Sequence, residues 1–503
     1  MTHPHFTRVA ATEGYTPHRS FRPGESVPVH AASRSGRVNV RVTSASNETV
    51  LWERSGVSIG DHLVPDRAWA EGCDWPAAFE IPTDASWAPG LYLIHFDDDP
   101  DGVENPAWFV LGGDAPDRPL LVLATNTWNA YNQWGGSCMY TGAAHLSFER
   151  PIEHGYLVRP TDPDGFDGRV ASVVPGDFEH DRLQRYQADH GLPLWTASSG
   201  WFSFERRFVD WAADHDIGLD YALDIDLHRN PDLLRGRNVL LTVGHSEYWT
   251  AAMRDHVDDW VDAGGRWAIL SGNTCFWQVR IDDHVMTCHK GLARRDDPAM
   301  GGDRATLTSM WSDPIIGRPE NESTGLSFTR GGYHRIGHAV PDGPGGYIVH
   351  RPHHWALDGT GAGPGDLIGA EAITVGYEVD GCALDDAEPP SPTGEDGTPR
   401  DFEVIASAPA RLISITEDVC EAPVALWASV EPPGDLEGTS MVLFGDASPE
   451  HVARIAHGRC VMGSFRRGDG EVFNAGSADW IHGLSDPVIS RITANVVARF
   501  TTG

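Results

Sequence analysis

The run Val239-Leu240-Leu241-Thr242-Val243 leads directly into Gly244-His245-Ser246-Glu247-Tyr248-Trp249. A continuous apolar run of this length fits a strand covered on both faces, as in a parallel sheet. Behind it, Met253, Val257, Trp260 and Val261 recur at helical spacing up to Gly264-Gly265, a glycine stop signal. The pattern predicts a buried strand, a sharp turn and a helix, with an imidazole and a carboxylate at the turn. In open α/β sheets that carboxyl tip is where ligands bind. A charge there is costly unless a metal or a proton-transfer partner compensates it.

Similar units lie on either side. Leu120-Leu121-Val122-Leu123-Ala124, Leu219-Asp220-Tyr221-Ala222-Leu223 and Trp267-Ala268-Ile269-Leu270 read as strands, and residues 204–215 carry helical periodicity. Repeated strand–helix–strand units predict an α/β fold with a doubly wound parallel sheet. Before it, residues 17–113 look all-β: Val38, Val40 and Val42 alternate with polar residues, and Leu91–Phe96 follows a Pro-Gly turn. An immunoglobulin-like β-sandwich is expected there, after a tail at 1–16. Residues 114–503 form the second domain. From about 275 to 445 helical periodicity fades, and a β-rich insertion is expected, with strands near 347–349 and 372–375 and a mobile loop at 385–400. A C-terminal helix near 486–500 should pack back on the sheet.

The formal net charge of −34 argues against nucleic-acid and anionic-membrane partners. The seven cysteines form no C-x-x-C pair, the first 22 residues carry no apolar leader, and no run approaches membrane-spanning length. A cytoplasmic protein with reduced thiols is expected. Lys290 is the single lysine; codon bias toward Arg accounts for that, and no role is assigned to it.

In a parallel sheet, three strand ends carrying polar residues meet on one edge: the 126–140 segment with Tyr131 and Tyr140, then His245 with Glu247, then Asn273. No G-x-S-x-G elbow, Walker loop or strand-linked G-x-G-x-x-G is present, so serine-nucleophile and nucleotide chemistry lose ground. A carboxylate with phenols remains. Phenols ionise near pH ~10 in water, but a hard, highly charged metal deprotonates them.

Thr127-Trp128-Asn129-Ala130-Tyr131-Asn132 with Gly135-Gly136-Ser137 and Tyr140, Gly244–Trp249, Ser271-Gly272-Asn273 and Gly376-Tyr377-Glu378-Val379-Asp380 resemble the large (β) subunit family of N,N-dimethylformamidase. His354-Trp355 and Arg318-Pro319-Glu320-Asn321 are further landmarks. The resemblance covers residues 114 to 503. It implies an iron-dependent hydrolase that cleaves the C–N bond of a small N-substituted formamide to formate and amine. It also implies one mononuclear ferric iron held by Tyr131, Tyr140 and Glu247. Glu378, His245 and Asn273 are implied as the polar catalytic residues beside it. A separate small subunit and an oligomeric assembly are implied partners. The sheet also resembles the class I glutamine amidotransferase fold, with Glu247 near that fold's nucleophile position. Two alternatives stand: a hydrolase of another amide or a carbohydrate derivative, and a non-catalytic assembly or binding subunit.

Each site residue also has a plainer explanation. Glu247 could cap the following helix, and Tyr131 and Tyr140 could pack on Trp134. His245 could be a hydrogen-bonded core histidine, Asn273 a turn residue and Glu378 an exposed strand charge. His353-His354 is expected to be structural, since adjacent strand residues point to opposite faces.

Overall fold

The structure, a computed structural model, describes residues 8–98, 102–160, 166, 168–170, 179–335, 343–414 and 434–502. Its centre is a nine-stranded sheet. In spatial order the strands are Asp220–Leu223, Leu120–Leu123, Val239–His245, Arg266–Gly272, Gly470–Asn474, Gly458–Arg467, Glu403–Ala410, Tyr347–Val349 and Leu367–Ile368. The first five are parallel to one another. The last four continue the sheet antiparallel.

The apolar runs are explained by cover on both faces. Leu121, Leu123, Leu241, Val243, Ala268 and Leu270 enter one core, with Phe208 and Ala212 of the helix Glu205–Asp214 and Ile492, Val496 and Phe500 of the helix Pro487–Thr502. The intervening Leu120, Val122, Leu240, Trp267 and Ile269 enter a second core, with Met253, Val257 and Val261 of the helix Ala251–Asp262. Each fully buried aliphatic side chain contributes roughly 1.5–3 kcal/mol.

The N-terminal region is a sandwich. A five-stranded sheet (Ser20–Phe21, Ala107–Leu111, Gly90–Asp97, Arg37–Ser44, Val50–Ser58) faces a three-stranded one (Thr12–Tyr15, Ser26–Ser33, Ala77–Pro82). Val38, Val40, Val42 and Ile94 meet Val27, Val29 and Ile81 between them. The outer face of the larger sheet sends Leu91, Leu93 and Val110 into the core shared with the α/β region. The sandwich is therefore fused to its neighbour by apolar packing.

Several expectations need correction. The central sheet is mixed rather than wholly parallel, because the segment read as an insertion supplies three of its antiparallel strands. Residues 372–375 form turns, with Ile373 at φ 51°, instead of a strand. Thr12–Tyr15, within the segment read as a tail, is a strand paired with Ser26–Ser33. The turn after His245 leads first into a short strand, Tyr248–Thr250, paired with Trp277–Asp282, and only then into the helix. The 385–400 loop is tied back by Asp385 N to Ser391 O (2.9 Å) and Thr393 N to Ala383 O (2.8 Å). His354 is structural as expected: one ring nitrogen caps a short helix and the other meets Ser464 Oγ at 3.0 Å.

Glu205 opens the helix Glu205–Asp214 and ties it to the strand end at 120–124. Its carboxylate accepts from Trp128 Nε1 (2.9 Å) and Ala124 N (3.4 Å). Burial pushes its pKa from the ordinary 4.5 up to about 7. Between those values the folded chain holds a proton that the unfolded chain has released, so this group's contribution to stability falls as pH rises through that window. Glu205→Gln should lose less stability than the wild type between about pH 5 and about pH 8, read from urea midpoints. Identical losses would remove Glu205 as a source of the slope.

Candidate metal and active site

The site begins at the paired ends of Val239–His245 and Arg266–Gly272, where His245 lies opposite Gly272. Gly244 takes φ 72°, and a Cβ there would lie 2.4 Å from Phe204 Cβ, so only glycine serves. Glu247 follows, its backbone held from two sides. Its N–H donates to Thr127 Oγ1 (2.9 Å), and its carbonyl accepts from Phe276 N (2.9 Å) and Trp277 N (3.0 Å). It does not cap the following helix; Thr250 does, accepting from Met253 N at 3.2 Å.

Tyr131 ends the short helix Thr125–Tyr131 that follows strand Leu120–Leu123. The chain then loops through Gly135 and Gly136, both at positive φ, and Met139 N returns to Ala130 O at 3.0 Å. That return stacks Tyr140 on Tyr131, ring centroids 4.3 Å apart. Buried Arg150 holds the loop by donating to the carbonyls of Asn132 (3.0 Å) and Trp134 (2.6 Å). Trp134 packs on Trp75 of the sandwich and donates to Glu13 Oε2 at 2.8 Å. The sandwich thus braces the loop that carries both phenols.

Three acidic side chains converge. Tyr140 Oη lies 2.6 Å from Tyr131 Oη and 3.0 Å from Glu247 Oε1, and Tyr131 Oη lies 3.1 Å from Glu247 Oε2. Tyr131 and Glu247 are almost wholly buried and Tyr140 partly so. Desolvation, then the neighbouring Glu247 charge, holds both phenols well above their ordinary pKa of 10. Burial likewise raises Glu247, against the pull of His245 and Lys290. Such crowding of acidic oxygens is stable only with protons retained or a cation among them. Two phenols and a carboxylate are hard oxygen donors that fit a hard, highly charged ion. Among the described residues no cluster of three or more His, Cys, Asp and Glu is arranged to hold a metal.

Glu378 is brought in from far along the chain. Gly272 has no Cβ; one there would lie 2.3 Å from Ala478 N and 2.4 Å from Glu378 O. The 378–380 segment can therefore cross the strand tip. Buried Asp380 pins it, accepting from Asn273 N (3.0 Å) and Thr274 N (3.1 Å). Glu378 is 4% exposed, so it is no surface charge. Its Oε2 meets His245 Nε2 at 2.6 Å and accepts from Asn273 Nδ2 at 3.2 Å. Asn273 sits at φ 50°, a left-handed conformation that asparagine tolerates.

His245 Nδ1 meets the carbonyl of Ser198 at 2.7 Å, which aims Nε2 at the two carboxylates; Glu247 Oε2 is 3.4 Å away. Burial works against its charged form, but Glu378 and then Glu247 outweigh it and push its pKa up to about 9. All six residues singled out from the sequence thus share one site.

Sequence reasoning missed others. The site opens into a cavity of about 50 Å³ whose walls include Trp195, Phe276, Phe328, Tyr333, Tyr377, Lys290 and Asp435. The chain's single lysine is 5% exposed, with Nζ 3.4 Å from the ring centre of Tyr140 and 5.3 Å from that of Trp277. Uniqueness of residue type was the available signal. A cation held against that ring favours negative charge on the phenol beside it.

The family model described as "N,N-dimethylformamidase beta subunit-like, C-terminal" matches residues 39–494. The N,N-dimethylformamidase beta subunit of Paracoccus aminophilus is 27% identical over 313 residues, 59% of this chain and 36% of that protein. The protein of the same name from Alcaligenes sp. is 33% identical over 78 residues, 15% of this chain and 10% of that protein. The matched regions thus span about a third or less of those relatives' length. With a family match running from the sandwich to the C-terminal helix, the chain belongs to the N,N-dimethylformamidase beta subunit-like family.

Proposed function

We propose that this chain is an iron-dependent amide hydrolase that cleaves the C–N bond of a small N-substituted formamide to formate and amine. The convergence of Tyr131, Tyr140 and Glu247 within 3.1 Å of one another carries this reading. These three would hold one ferric ion. When bound, it would supply Lewis-acid polarisation of the amide carbonyl and a lowered pKa for water beside it. The names of the relatives point the same way.

The protein groups divide the remaining work. Glu378, paired with His245 at 2.6 Å, accepts a proton from the attacking water and returns it to the leaving nitrogen. The carbonyl of Ser198 orients His245 for that exchange. Asn273 uses one amide hydrogen on Glu378, and its second is available to the tetrahedral oxyanion. Lys290 stabilises negative charge on Tyr140. The aromatic walls exclude bulk water, which strengthens each of these interactions.

A glutamine amidotransferase-like winding of the sheet belongs to the same proposal, as does assembly with a separate small subunit into an oligomer. The relatives are named as beta subunits. A reducing, cytoplasmic setting is supported by the six described cysteines, all free thiols. No described helix is long and apolar enough to cross a membrane.

Protein purified without added metal should carry near-stoichiometric iron and a visible tyrosinate band. Glu247→Ala should lose both, and an iron-loaded, fully active variant would refute the ligand assignment. Glu378→Gln should keep its iron and lose formate release by about 100-fold or more; undiminished release would remove its proton-transfer role. Lys290→Met should keep iron, shift the visible band and slow turnover by roughly tenfold, the effect of about 1.4 kcal/mol. An unchanged band and rate together would leave Lys290 as packing only.

A further inference from the structure

The cavity wall carries charged residues of both signs. Lys290 stands in its wall, against Tyr140 and Trp277. Asp435 lines the wall as well, and the Tyr333 phenol is hydrogen-bonded to it. Tyr333 is the middle of a run of rings: Phe328 lies 5.3 Å from it and Tyr377 5.9 Å, with Phe276 5.2 Å beyond Phe328. Asp435 is the first residue of the helix Asp435–Phe444, where the helix dipole favours the ionised carboxylate. Aromatic faces joined by a carboxylate form the chemistry that binds alkylated ammonium ions.

We propose that Phe328, Tyr333, Tyr377 and Asp435 form a subsite for the N-alkyl half of the substrate, and hold the leaving amine as an alkylammonium ion. The proposal rests on the amide-hydrolase reading and extends it to substrate orientation and product release. An amide carries partial negative charge on oxygen and partial positive charge on nitrogen and its alkyl groups. The carbonyl therefore turns toward Lys290 and the Tyr131–Tyr140–Glu247 cluster, and the nitrogen toward Asp435. Hydrolysis forms a C–O bond from water and breaks the C–N bond. One water proton reaches the leaving nitrogen by way of Glu378, and the formic acid proton follows it at neutral pH. The products are formate and a dialkylammonium ion, whose charge Asp435 balances.

The test uses the whole iron-loaded protein and dimethylammonium chloride as the probe, with isopropanol as a neutral molecule of similar shape. The wild type should bind dimethylammonium at least about tenfold more tightly than isopropanol, and dimethylammonium should compete with N,N-dimethylformamide. Asp435→Asn should weaken dimethylammonium binding about tenfold with iron content unchanged, and Tyr333→Phe should weaken it less. Equal affinity of the wild type for the cation and the neutral probe overturns the subsite, even if both variants fail to fold. So does unaltered cation binding in folded Asp435→Asn. Asp435-dependent binding without amide turnover would count against the hydrolase reading and leave the subsite standing. Turnover with Asp435-independent binding would count against the subsite alone.

Discussion

Everything at the centre of this molecule follows from holding acidic oxygens closer together than water would allow. Two phenols and a carboxylate lie within 3.1 Å of one another in a buried setting. Their mutual repulsion on ionisation must be met by retained protons or by a cation, and the surrounding structure is built to keep them from separating. Thr127 and the 276–277 amides grip the Glu247 backbone, and Arg150 grips the tyrosine loop. The same arrangement repeats one layer out, where Asp380 clamps the turn at 273–274 and burial pushes its pKa up to about 8.

The β-sandwich is part of that support. The outer face of its larger sheet shares a core with the α/β region, and its smaller sheet reaches the tyrosine loop through Glu13, with Trp75 packing beside it. Gly135 records the closeness of this approach, since a Cβ there would come within 2.9 Å of Trp69 N. A region that carries no chemistry in its own sequence therefore helps set the distance between Tyr131 and Tyr140.

The parallel half of the sheet was legible because both its faces are covered, which leaves continuous apolar runs with little competing interpretation. Glu247, His245 and Asn273 were legible because topology alone brings those strand ends together. The antiparallel half was not, since its short strands lie among Gly- and Pro-rich loops that hide their pairing. Ile373 shows the limit of propensity: a β-branched run at 372–375 is overridden by the turn that seats Thr374 on Gly369 O (2.9 Å). Glu378 emerged only through family resemblance, because its approach depends on Gly272 leaving room for a distant segment, and the Asn273–Glu378 bond joins residues 105 apart in sequence. Lys290 was visible as the chain's single lysine, but rarity by itself carried no direction.

Gly272 has a consequence for how the protein comes into being. The walls of the site are drawn from residues between Tyr131 and Asp435, and over the strand tip Glu378 O accepts from Ala478 N at 2.9 Å. Contacts of such sequence separation are among the slowest a chain makes. On the ribosome, the phenols and Glu247 emerge long before their partners do. The oxygen cluster thus joins residues from 131 to 247, whereas Glu378 is held by a contact with residue 478, so the complete site depends on chain that lies well beyond it.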